Sequence, residues 1–169
     1  MHGANGYFID QFISSSTNLR TDAYDGPVER RARFLIEMVE AVGEVWGLDR
    51  VGVRLSPLGQ MNNISDSDPE ATFGYIAETL DDLRFAYLHI ANPAAAALEK
   101  GLPTDARAGR MLALIRQKCL GTLIAAGGFD HDRAEQMRRG RRRTAGSNPA
   151  VGAFLETDSH SSPSGSRIS

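Results

Sequence analysis

Three short apolar runs, Val51-Gly-Val-Arg-Leu55, Phe85-Ala-Tyr-Leu-His-Ile90 and Gly121-Thr-Leu-Ile-Ala-Ala126, are separated by longer stretches with a helical period. Such alternation favours parallel βα units, in which each amphipathic helix covers the sheet it returns to. Pro27 fits the first turn of a helix, and Phe34, Leu35, Met38, Val39, Val42, Val45 and Trp46 make one apolar face that ends near Gly47. Asp68 can cap a second helix that has Pro69 in its first position and Glu70 near the positive end of its dipole. The buried stripe of that helix is Phe73, Ile76, Ala77, Leu80 and Leu83. A third helix runs from Ala106 to Leu120 with Met111, Leu114 and Ile115 inward, after a loop broken by Pro93 and Pro103. The fold class expected is therefore α/β.

At 169 residues, 41% hydrophobic and with formal charge −2, the chain is expected to be soluble and globular, without the basic field that would point to nucleic acid. No apolar run is long enough to span a bilayer, and the chain opens on polar and glycine residues rather than on a basic-then-apolar leader. The single cysteine, Cys119, reads as a packing residue at a helix end, and a reducing cytoplasmic setting is expected.

Chemistry concentrates at the start. His2-Gly-Ala-Asn-Gly-Tyr-Phe-Ile-Asp-Gln-Phe12 sets an imidazole, a carboxamide and a phenol close together, with Gly3 and Gly6 allowing tight turns. His2 and Asn5 can both hydrogen-bond a carbonyl oxygen, while the phenol of Tyr7 can hand over a proton. Arg54 is a guanidinium inside an apolar strand, costly unless it meets an anion or several acceptors; a structural ion pair at the strand end is the other reading of that residue alone. Gly127 and Gly128 follow the last strand and precede Asp130, a candidate helix cap, so exposed backbone N–H groups could cradle a phosphate there. A tight turn is the simpler reading of a glycine pair. His89 alternates with apolar neighbours, which leaves core and pocket-facing readings open. Capping explains the acidic cluster Asp66, Asp68 and Glu70, and no metal site is assigned.

The opening motif, together with Arg20-Thr-Asp-Ala-Tyr24, Glu29-Arg-Arg-Ala-Arg-Phe34, Val51-Gly-Val-Arg-Leu-Ser-Pro57 and Ala126-Gly-Gly-Phe129, resembles the flavin-dependent ene-reductases of the old yellow enzyme family. The branch it resembles is that of bacterial N-ethylmaleimide reductase and plant oxophytodienoate reductase, and the motifs run in order from His2 to about Arg138. The resemblance implies a TIM (β/α)8 barrel with its active-site groups at the C-terminal ends of the strands. His2, Asn5 and Tyr7 would lie just past the fourth strand, Arg54 on the fifth, and Gly127 and Gly128 after the seventh. It also implies FMN as cofactor, NADPH or NADH as hydride donor and an activated alkene as small-molecule substrate. His2 and Asn5 would bind the substrate, Tyr7 would protonate it, Arg54 would contact the flavin ring, and Gly127 and Gly128 would hold the FMN phosphate.

A full barrel takes roughly 250 residues, and the match begins where the fourth strand should end. The expectation is a partial barrel over residues 1–138, from the end of strand four to helix seven. Residues 139–169 are expected to be a divergent, disordered tail, rich in Ser, Pro and Gly, whose start is crossed by the basic run Arg138-Arg-Gly-Arg-Arg-Arg143. That basic run is weak evidence for nucleic acid or membrane binding in a chain of net charge −2. The alternatives to an active reductase are a truncated or frame-shifted remnant, and a half-barrel module completed by another chain. An open sheet would also promote self-association.

Overall fold

The computed structural model describes residues 1–91 and 106–127 and the pair 155–156. Its centre is a parallel sheet of five strands in sequence order: β1 (His2–Gly3), β2 (Gly52–Leu55), β3 (Tyr87–Ala91), β4 (Leu123–Ala126) and β5 (Leu155–Glu156). The helices are α1 (Phe8–Ile13), α2 (Val28–Trp46), α3 (Pro69–Asp82) and α4 (Ala106–Lys118), so strands and helices alternate as the sequence pattern requires. Gly128, the helix start at Asp130 and residues 92–105, 128–154 and 157–169 lie outside the described residues. Within the segment expected to form a disordered tail, Leu155 and Glu156 pair with Ala125 and Ala126. No helix among the described residues is long and apolar enough to cross a membrane.

Residues in register on neighbouring parallel strands share a face of the sheet. One face carries Val53, Leu55, Leu88 and Ile90, each at most 1% exposed. They pack with Leu35 and Val39 of α2, Phe73, Ile76 and Leu80 of α3, and Met111 and Ile115 of α4 to form the core. The other face carries a row of His2, Arg54, His89 and Ile124, linked strand to strand by register. A polar residue in an apolar strand is thus tolerated because the pleat sends it away from the helices.

The expected starts hold. Asp68 caps α3, its carboxylate accepting the Ala71 amide at 3.1 Å, with Pro69 following it. Pro27 sits one place earlier than expected, as the N-cap of α2. The apolar face of α2 is shorter than expected. Ala32, Leu35 and Val39 are fully buried, but Met38, Val45 and Trp46 are exposed. The reason is length: a helix of 19 residues spans about 28 Å, whereas strands of four residues span about 13 Å, so the last turns of α2 outrun the sheet. Cys119 is buried directly after α4, as its helix-end position suggested.

Candidate functional site

The first dozen residues fold as a two-residue strand, a turn closed by the Tyr7 amide on the Ala4 carbonyl at 3.2 Å, and α1. Two residues in this turn have left-handed backbone, Asn5 at φ 60° and Gly6 at φ 73°. Asparagine tolerates that region better than most L-residues, and Gly6 is there of necessity. A Cβ on Gly6 would lie 2.7 Å from the Met61 carbonyl oxygen.

The turn brings the predicted groups together. The rings of His2 and Tyr7 are 5.3 Å apart and tilted by 50°. His2 is the register partner of Arg54, so imidazole and guanidinium stand side by side on the face away from the helices. Burial, followed by the positive charges of Arg54 and the Met1 amino group, lowers the His2 pKa, which keeps the ring neutral at pH 7. Arg54 Nε is buried and accepted by nothing among the described residues. Neither the His2 ring, the Asn5 carboxamide nor the Tyr7 hydroxyl has a hydrogen-bond partner among the described residues. Gly127, at φ 99°, follows β4 at the C-terminal edge of the sheet, two strands from Arg54. Gly128 lies outside the described residues.

These groups fit a flavin on the described side. A cation with an orphaned buried N–H suits an anionic, acceptor-rich ring, and the left-handed glycine that follows β4 turns the chain at the C-terminal edge of the sheet, where a phosphate would lie. The neutral imidazole and the carboxamide can each donate to an oxygen, with a phenol beside them as acid. His89, left open by the sequence, stands next to Arg54 in the same row.

Sequence reasoning missed the anchors of the turn. Buried Asp10 accepts the Gly6 amide at 2.9 Å and the Ser56 hydroxyl at 3.3 Å, and Ser56 Oγ accepts the Asn5 amide at 2.7 Å. Burial raises the Asp10 pKa despite these bonds. Asn62 donates to the Asn5 carbonyl at 2.9 Å. A carboxylate flanked by Phe8, Ile9 and Phe12 was a readable sign of a buried acceptor, but its partner 46 residues away was not. Asp66, grouped with the capping acids, instead pairs with buried Arg31.

Residues 1–146 match the model of the NADH:flavin oxidoreductase / NADH oxidase family. Over 142 residues the chain is 39% identical to 12-oxophytodienoate reductase 2 of Arabidopsis thaliana, covering 83% of this chain and 37% of that protein. Among solved structures, morphinone reductase superposes with TM-score 0.72 at 38% identity, covering 90% of this chain and 38% of the other. The old yellow enzyme of Trypanosoma cruzi superposes with TM-score 0.73 at 27% identity, covering 91% and 37%. The chain therefore spans little more than a third of the length of these relatives. The likeness makes the five-stranded parallel sheet part of the TIM barrel expected from the motifs. Matched over most of its length and carrying its polar row on the face away from the helices, the chain belongs to the NADH:flavin oxidoreductase / NADH oxidase family.

Proposed function

We propose that this chain supplies the substrate side of a site that reduces activated C=C bonds, those conjugated to a carbonyl or nitro group. The observation that carries the reading is that His2 stands beside both Tyr7 and Arg54, with Asn5 in the same turn, while the polar groups they present have no partner among the described residues. Bound FMN, reduced by NADPH or NADH, would supply the hydride that reaches the β-carbon.

The chain's own residues do the rest. Arg54 would lie against the flavin ring and offset its negative charge, and Gly127 with Gly128 would face the phosphate. His2 and Asn5 would donate to the substrate oxygen, where charge develops, and a neutral His2 does this without competing with Arg54 for an anion. Tyr7 would give its hydroxyl proton to the α-carbon, and its exposure of 55% leaves it reachable by substrate. The partner in this reading is the alkene itself.

The test is titration of FMN into the purified chain, following flavin fluorescence, with Arg54→Gln alongside. Saturable quenching that Arg54→Gln weakens, with turnover of 2-cyclohexen-1-one that Tyr7→Phe slows, is the expected result. A second reading, a half-barrel completed by another chain, is favoured by the polar row standing on a sheet face that no described helix covers. Quenching only after mixing with an N-terminal half of a relative would select it. Absence of quenching in both cases refutes both readings and leaves a remnant.

A further inference from the structure

We infer that Ser56, Asp10 and Asn62 are positioning residues that hold Asn5 in its left-handed conformation and so aim its carboxamide at the substrate oxygen; the aim, though not the hold, rests on the function proposed above. Both backbone polar groups of Asn5 are claimed by the segment that follows β2. Its N–H goes to Ser56 Oγ at 2.7 Å, and its carbonyl accepts Asn62 Nδ2 at 2.9 Å. Ser56 is itself fixed, since its hydroxyl donates to Asp10, and Asp10 also takes the next amide in the chain, that of Gly6. Asp10 and Ser56 are 3% and 7% exposed, so water does not compete for the bonds from Gly6 and Ser56 to Asp10, whereas the Asn62 bond lies at the surface.

The clamp closes from the other side as well. Asn62 is left-handed, at φ 58°, and Met61 brings its carbonyl to where a side chain on Gly6 would stand. Among the described residues, what remains without a partner on Asn5 is the carboxamide alone. A residue in left-handed backbone returns to the commoner regions when its tethers are cut, which would swing that carboxamide away from His2. These bonds span 46 to 57 positions in sequence and join the strand that bears His2 to the one that bears Arg54. They therefore set the substrate groups against the flavin-facing arginine.

The experiment compares the full chain with Ser56→Ala, Ser56→Thr and Asn62→Gly, the last keeping left-handed freedom while removing the donor. The first readout is NMR: amide exchange at Asn5 and Gly6, and the strong intraresidue HN–Hα contact of a positive φ at Asn5. Exchange at Asn5 is expected to rise on the order of tenfold in Ser56→Ala, as loss of one buried hydrogen bond implies. Asn62→Gly is expected to weaken the positive-φ signature, and Ser56→Thr to restore wild-type behaviour, while core amides such as Val53 and Leu88 are unchanged in all three. The second readout is KM for 2-cyclohexen-1-one in the FMN-supplemented chain, expected to rise in Ser56→Ala with FMN quenching unaltered. Unchanged Asn5 exchange and signature overturn the inference, as does exchange that rises equally in the core, or an Asn5 that loosens without moving KM. A wild-type chain inert with FMN refutes the proposed function and the aim, while the NMR arm still decides the hold.

Discussion

Replacing Arg31 with methionine removes the cation of the most deeply buried ion pair described. The side chains of Arg31 and Asp66 are 7% and 5% exposed. The Arg31 guanidinium also donates to the carbonyls of Ile13 and Gly26 and to Thr72 Oγ1, so it joins α1, α2, α3 and the loop before α3. Asp66 accepts in addition from the Ser15 amide at 3.0 Å and Thr72 Oγ1 at 2.9 Å. Methionine keeps the apolar stem but strands the carboxylate and two carbonyls, for which about 3–5 kcal/mol is expected. Against a total near 5–15 kcal/mol this is a large share. In a chain of this size it should lower Tm by about 6–20 °C.

The assay is urea and thermal unfolding by circular dichroism between pH 3 and 8, and pH gives the reasoning a second handle. Burial pushes the Asp66 carboxyl up, but bonds from Arg31, the Ser15 amide and Thr72 outweigh it and hold the pKa below the ordinary value. In the wild type this stabilisation is present above the ordinary carboxylate pKa, about 4, and is lost as pH falls through the lower folded value. In Arg31→Met burial is no longer offset by a cation, the folded value rises above the unfolded one, and the penalty grows as pH rises. The gap between the two proteins should therefore narrow below about pH 4, and Arg31→Met/Asp66→Asn should recover part of the loss. A loss under about 1 kcal/mol, the size of a surface pair, or a gap independent of pH, would refute this account.

Gly52 tests the opposite face of the sheet. A Cβ there would meet Tyr87 ring carbons at 2.1 to 2.5 Å, so Gly52→Ala should cost about 1–3 kcal/mol in urea unfolding. Gly52→Ala/Tyr87→Ala should regain most of it, and an additive double variant would show that the ring is not what excludes a side chain. For Cys119, burial above all raises the thiol pKa to about 11. The native chain should resist Ellman's reagent at pH 8 and react only on unfolding, whereas fast native labelling would contradict the packing.

Much of the fold was legible because its signals are local. The Asp68-Pro69 cap, the period of α3 and the strand-length runs at β2, β3 and β4 each depend on neighbours within a few residues, and each appears where expected. The burial of α2 was less legible, because how far the sheet extends beneath a helix is not written in that helix. Val45 and Trp46 keep the right period and still face solvent.

The site divides in the same way. The sequence by itself determined which candidate groups the site presents, His2, Asn5, Tyr7 and Arg54, since imidazole, carboxamide, phenol and guanidinium are properties of residue type and their motifs are contiguous. Only the tertiary structure decided that Arg54 stands beside His2, because register across parallel strands fixes that pairing between residues far apart in the chain. It alone assigned Asp10 and Ser56 to the backbone of Asn5 and Gly6, and Asp66 to Arg31 rather than to a helix cap. A hydrogen bond or an ion pair depends on distance in space, and a buried acceptor takes whichever donor the fold brings within about 3 Å.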